Sequence, residues 1–144
     1  MQTISGITDI AHGVQLAVAP VFLLSGVGVI LTVLTNRLAR IVDRGRSIEA
    51  TLPAAPLETA DEVRSELRTL SRRARLIHRG ITLSTSCALL VCLVIVALFV
   101  GVALGRDLSM LIVVLFIAAL CAFIGGLVSF LLEIRLATSS LHFG

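Results

Sequence analysis

The sequence predicts an all-α integral membrane protein: three transmembrane helices, the first two with long cytoplasmic extensions that form a helical hairpin. Three observations carry this. Of the 144 residues, 57% are hydrophobic and only 15% are charged, where a soluble chain is typically about half apolar and about a quarter charged. Three apolar runs are each long enough to span a bilayer. Ten of the twelve cations fall in the one segment between the first two runs. The mean hydropathy of +1.05 agrees with the first observation, and so much Leu, Ile, Val and Ala with so little charge excludes disorder. The length suits a single membrane domain over 1–144.

The runs are Val14 to Thr35, Ile81 to Leu104 and Leu108 to Leu132. A helix of 22 residues spans about 33 Å, against a hydrocarbon core of about 30 Å. None of the three contains Asp, Glu, His, Lys or Arg. Lipid offers no partner for free backbone groups, and three lone strands cannot close a barrel, so the runs must be helices. Pro20 lacks an N–H and frees the carbonyl of Leu16, which predicts a kink in the first. Before it, Ile4, Ile7 and Ile10 recur at three-residue steps and read as a short interfacial turn. The first run is not patterned as a signal peptide, because its positive charge follows the apolar stretch.

Orientation follows from arginine, since all twelve cations are Arg. Segment 36–80 holds ten of them beside six acids, a net charge of +4, whereas the first thirteen residues hold none. By the positive-inside rule 36–80 is cytoplasmic, the N-terminus and the hairpin Gly105-Arg106-Asp107 are outside, and the tail from Glu133 is inside. There is no Trp or Tyr to anchor the interface, which leaves that task to Arg.

Within 36–80 two helices are expected around the linker 51–57, whose Pro53 and Pro56 cannot continue a helix. Helix one should run on through Asn36 to Ala50, with Leu38, Ile41, Val42 and Ile48 on one face. The second should start near Glu58 to Asp61, with Thr59 or Asp61 as its cap. Along it Val63, Leu67, Leu70, Ala74, Ile77 and Ile81 alternate steps of four and three, a seam that packs against another helix. That helix is either 36–50 of the same chain or the same seam in a neighbouring copy. Beside it Arg64, Arg68, Arg72, Arg75 and Arg79 form a stripe of like charges. Each adjacent pair costs a few tenths of a kcal/mol on an isolated helix, so an acidic partner is expected. Anionic headgroups are the first candidate and a neighbouring chain's acids the second.

Small residues recur every four positions at Ala97, Gly101 and Gly105 and at Ala118, Ala122 and Gly126, a pattern that lets membrane helices approach closely. Three helices cannot use both rows and also bury the seam, so a homo-oligomer is expected. Thr82, Ser84, Thr85 and Ser86 cluster at the inner end of the second run. They either bond their own backbone one turn back or, for Thr82 and Ser86, line a pore in an oligomer. Ser25, Gly26 and Gly28 in the first run could do likewise. Glu133 and Arg135 close the third run, where a Glu133–Arg37 pair is geometrically reasonable. Cys87, Cys92 and Cys121 lie in apolar runs without zinc-site spacing and read as small hydrophobes. His12, His78 and His142 stand alone. No cofactor, metal or catalytic set is expected, and no nucleic acid, since no aromatics interleave with the arginines.

The stretch Ala17 to Arg46 carries a more specific pattern: Ala19-Pro20, Phe22-Leu23, Gly26, Thr35-Asn36-Arg37-Leu38, Arg40 and Asp43-Arg44. It resembles the opening signature of a bacterial membrane family catalogued as domain of unknown function 2721. The resemblance implies the three-span topology and a bacterial inner membrane. It supplies no chemistry, but it makes Pro20, Asn36, Arg37, Arg40, Asp43 and Arg44 the first place to look for function. Asp43 itself reads as a helix-surface ion pair with Arg40 and Arg44.

Two functions fit. The first is a homo-oligomeric structural or regulatory platform, with a basic cytoplasmic hairpin whose Arg37, Arg40, Arg44, Arg72, Arg75 and Arg79 meet anionic lipid headgroups or a partner. The second is a small oligomeric channel with a hydroxyl- and backbone-lined pore. An enzyme is not expected, because no nucleophile, acid–base pair or metal set stands near the lipid surface.

Overall fold

A computed structural model describes residues 2–139 of the chain, so His142 lies outside the described residues. It consists of α1 (Gln2–Thr51), a short 3₁₀ turn (Leu52–Ala54), α2 (Leu57–Leu104) and α3 (Ser109–Ser139). All three helices are long and apolar enough to cross a membrane. The expected interfacial turn at the N-terminus is not separate, for α1 begins at Gln2 and runs unbroken through Pro20.

Each helix stops where local chemistry requires. The 3₁₀ turn contains Pro53, and Ala55 is extended at φ −75°, ψ 137°, the conformation that the following proline imposes on its neighbour. The start of α2 differs from expectation. Its first turn closes not on a Thr59 or Asp61 side chain but on the Pro56 carbonyl, which accepts from the Thr59 and Ala60 N–H at 3.0 and 3.1 Å. The Thr59 hydroxyl also donates to that carbonyl. At the other end, the Arg106 N–H reaches back to the Gly101 carbonyl and the Gly105 N–H to that of Val102. Gly105 has a φ of +60°. This is a Schellman stop, and it needs glycine at the left-handed position. Gly105 is therefore a helix terminator, not a third member of a small-residue row.

The helices contribute to two compact units. One comprises the described residues up to Ile30 with Leu83–Ile124, the other Leu31–Thr82 with the chain from Gly125 onward. In the first, Gly13, Ala17, Pro20 and Val27 of α1 are buried, as are Ser84, Cys87, Val91 and Val94 of α2 and Ala119 of α3. In the second the buried residues are Leu34, Ile41 and Ile48, Ile77 and Gly80, and Gly126 and Glu133.

Burial on α1 recurs every seven residues, at Gly13, Pro20 and Val27 in one unit and Leu34, Ile41 and Ile48 in the other. On α3 the same step joins Ala119, Gly126 and Glu133. A seven-residue period is that of helices lying side by side with interlocking side chains. Of the four-residue row read on α3, Gly126 is buried and Ala122 half-buried, but Ala118 is exposed and its neighbour Ala119 fully buried, so the buried positions follow the seven-residue period more closely than the row. In a span where every residue is apolar, hydrophobicity alone cannot mark the inward face.

Candidate functional site

The second unit holds the chain's most unusual side chain. Glu133 is fully buried, at the α3 position that Gly126 and Ala119 occupy one and two heptads earlier. An unpaired carboxylate there would be prohibitively costly. Two arginines prevent that. Arg73 of α2 donates to Glu133 Oε1 from Nε at 3.1 Å and from Nη2 at 2.9 Å. Arg37 of α1 places Nη2 2.6 Å from Oε2. That second contact is a close charge pair without hydrogen-bond alignment, because neither Oε2 nor the Arg37 Nε has a hydrogen-bond partner. The Arg37 guanidinium also lies 5.5 Å from the centre of the Phe130 ring, within cation–π range. Each of the three helices thus contributes a charge to one clasp.

Sequence reading found Arg37 and Glu133 here but passed over Arg73, which falls off the arginine stripe. The available signal was its place three residues after Leu70 and four before Ile77, on the edge of the seam. The helices also approach closely at Gly80. A Cβ on Gly80 would lie 3.3 Å from Leu34 Cδ1 and 3.5 Å from the Gly126 carbonyl oxygen, so a methyl group would press on Leu34 and a larger side chain would overpack the site.

The seam of α2 faces α1 of its own chain. Leu67, Leu70 and Ala74 line a cleft with Ile41, Val42 and Gly45, Val63 is half-buried and Ile77 fully buried. Across the same hairpin Arg44 pairs with Glu66 at 3.1 Å, both largely exposed. This corrects the reading of Arg44 with Asp43. Neighbours in sequence point to different sides of a helix, and Arg44 reaches α2 instead. Asn36, Arg40 and Asp43 are exposed, and Arg40 borders a small cleft with Arg37, Arg44 and Arg73.

Of the arginine stripe, Arg64 lies 3.9 Å from Asp61. Arg72, Arg75 and Arg79 converge with Arg135 of α3 on a separate cleft of about 470 Å³, floored by Leu76, Leu132 and Leu136. All four arginines are exposed. Among the described residues, none of the four guanidinium groups has an ion pair or hydrogen bond.

The hydroxyls behave locally. Thr82 donates to the His78 carbonyl at 3.0 Å and Ser25 to that of Val21 at 3.3 Å. In the first unit Ser86 is exposed, while Ser84 is fully buried with no partner for its hydroxyl. Pro20 borders an apolar cleft with Leu16, Val94, Ile112 and Phe116. Cys87 is buried, and Cys92 and Cys121 are exposed. Among the described residues, no group of three or more His, Cys, Asp and Glu stands close enough to hold a metal.

Three apolar helices, with a charge clasp just beyond the apolar stretch of α3, define a small polytopic α-helical membrane protein. The chain belongs to the family described as Protein of unknown function (DUF2721), whose pattern it matches over residues 17–143. That match takes in all the residues of the clasp and of the four-arginine cleft. No curated protein and no solved structure matches the chain.

Proposed function

We propose that the chain is a non-enzymatic structural or regulatory membrane platform that assembles as a homo-oligomer. Its basic helical hairpin lies on the cytoplasmic side of a bacterial inner membrane, with the N-terminus outside. The observation that carries this reading is how the arginines divide. Arg37, Arg73 and Arg44 are used inside the chain, on Glu133 and Glu66. Arg40, Arg46, Arg68, Arg72, Arg75 and Arg79 remain exposed. A held-together frame with an outward basic surface is what attraction to anionic headgroups requires.

Self-association draws support from α1 of the first unit. Ser25, Gly26 and Gly28 are exposed there, and a Cβ at either glycine would meet nothing within 4 Å. A small-residue face open to lipid suits close approach by another helix. The alternative is a channel with Thr82 and Ser86, both exposed in the single chain, on a shared axis.

The deciding experiment is the mass of the detergent-purified protein by light scattering, joined to ion flux in liposomes. A defined oligomer without flux in any salt fits the platform. A monomer removes the assembly, and sustained flux moves the reading to the channel. Sidedness is tested with Ala54→Cys in a chain whose own three cysteines are Ala: labelling from the periplasmic side would invert the orientation.

A further inference from the structure

Four arginines gather at one cleft between α2 and α3. Arg37, Arg44 and Arg73 each have a carboxylate partner in the fold. Arg72, Arg75, Arg79 and Arg135 border one cavity that no acid lines. Like charges so placed repel one another, and each guanidinium presents a planar fork that suits two phosphate oxygens. The cleft is also amphipathic. Leu76 and Leu132 lie at its floor, and Leu132 is the last residue of the third apolar run. A soluble anion has no use for that floor, and a neutral lipid has none for four cations.

We infer that this cleft is a discrete seat for one phospholipid with a dianionic headgroup, its phosphate held by the arginines and one acyl chain laid along the leucines. The proposal deepens the platform reading and rests on its membrane surface. It does not depend on the number of subunits. It adds that the basic surface is not uniform. A phosphomonoester, with two negative charges and three unesterified oxygens, engages more of the four forks than a phosphodiester does. The expected order is therefore phosphatidate above phosphatidylglycerol above phosphatidylcholine.

The test is native mass spectrometry of the full chain in detergent, titrated with each of those three lipids. One phosphatidate per chain should be retained. The double variant Arg75→Gln, Arg135→Gln should lower its apparent affinity by about tenfold or more. The variant Arg46→Gln, Arg68→Gln loses the same charge from exposed positions outside the cleft, and it should stay within about twofold. Arg135→Lys keeps the charge but loses the fork, and should fall between them. All four chains are compared at equal melting temperature, and the substituted side chains are solvent-exposed, so folding does not confound the result.

Equal loss in both double variants would mean diffuse attraction; it would overturn the seat and leave the platform intact. No loss in either would overturn both. Inorganic pyrophosphate that competes as well as phosphatidate would also overturn the proposal, since the leucine floor would then contribute nothing.

Discussion

Arg73 grips Glu133 with two nitrogens on a single carboxylate oxygen, at 2.9 and 3.1 Å, while Glu133 has no exposed surface and the Arg73 side chain keeps 21% of its own. The acid is therefore the buried member and the arginines are its counter-charges from the rim. Removing one partner of a buried pair typically costs about 3–5 kcal/mol, because the other charge is left uncompensated. Arg73→Met, which leaves the buried Glu133 with only the poorly aligned Arg37 beside it, should lower stability by that order in a detergent unfolding titration. The triple change Arg37→Met, Arg73→Met, Glu133→Leu should recover most of the loss, since apolar replacement of a whole buried cluster is often neutral or better. An Arg73→Met chain that unfolds with the wild type would show the clasp to be idle.

How far this arrangement is legible from sequence depends on contrast between residues. Glu133 stands out because it closes an apolar run, and Arg37 because it opens a charged one. The seam from Val63 to Ile77 is legible because apolar residues alternate there with Arg, Glu and Ser. The same period continues along α2 through Ser84, Cys87 and Val91, and on α1 through Gly13, Pro20 and Val27. There it is invisible, because inward and outward positions are equally apolar in a helix that faces lipid. Arg73 was missed for a related reason: among ten arginines in one segment, nothing in composition separates the one that turns inward. Only a register between helices does that. α2 starts at Leu57, one residue before the expected Glu58 to Asp61, because the Pro56 carbonyl and not a Thr59 or Asp61 side chain opens it.

Two glycines of the second unit should respond oppositely to substitution. A Cβ at Gly80 would press on Leu34 at 3.3 Å and touch the Gly126 carbonyl at 3.5 Å, whereas a Cβ at Gly45 meets nothing within 4 Å. Gly45→Ala should stabilise the chain by about 0.4–1 kcal/mol, through helix preference and a less flexible unfolded state. Gly80→Leu should destabilise it by about 1–3 kcal/mol through overpacking. Melting temperatures measured side by side decide it, and two shifts of the same sign would contradict the close approach at Gly80.

The Arg44–Glu66 pair bridges the same hairpin as the clasp but in a different dielectric. Its side chains are 62% and 46% exposed, so solvent and salt screen it. A double-mutant cycle with Arg44→Gln and Glu66→Gln should give a coupling of about 0.2–1 kcal/mol. That coupling should fade between low salt and roughly 1 M, where the Debye length is about 3 Å. The Glu133 coupling should persist at that salt. A salt-insensitive Arg44–Glu66 coupling would mean that the hairpin is buried, most simply by another copy of the chain.

Asp107, in the turn before α3, offers a pH readout outside the apolar runs. Its carboxylate accepts hydrogen bonds from the Ser109 hydroxyl and backbone N–H. First the hydroxyl and then the N–H hold it below the ordinary aspartate range. A depressed folded-state value means that the contribution to stability is fully present above the unfolded value, about 3.9. It is lost as pH falls through the folded one. The NMR titration of the Asp107 side chain should therefore show a midpoint below about 3.9. Ser109→Ala removes the larger influence and keeps the N–H, so the midpoint should rise part of the way back. Amide exchange at Ser109 should quicken as Asp107 is protonated, and in Asp107→Ala it should be fast at every pH. A midpoint that ignores Ser109→Ala would show that the turn does not hold the start of α3 in this way.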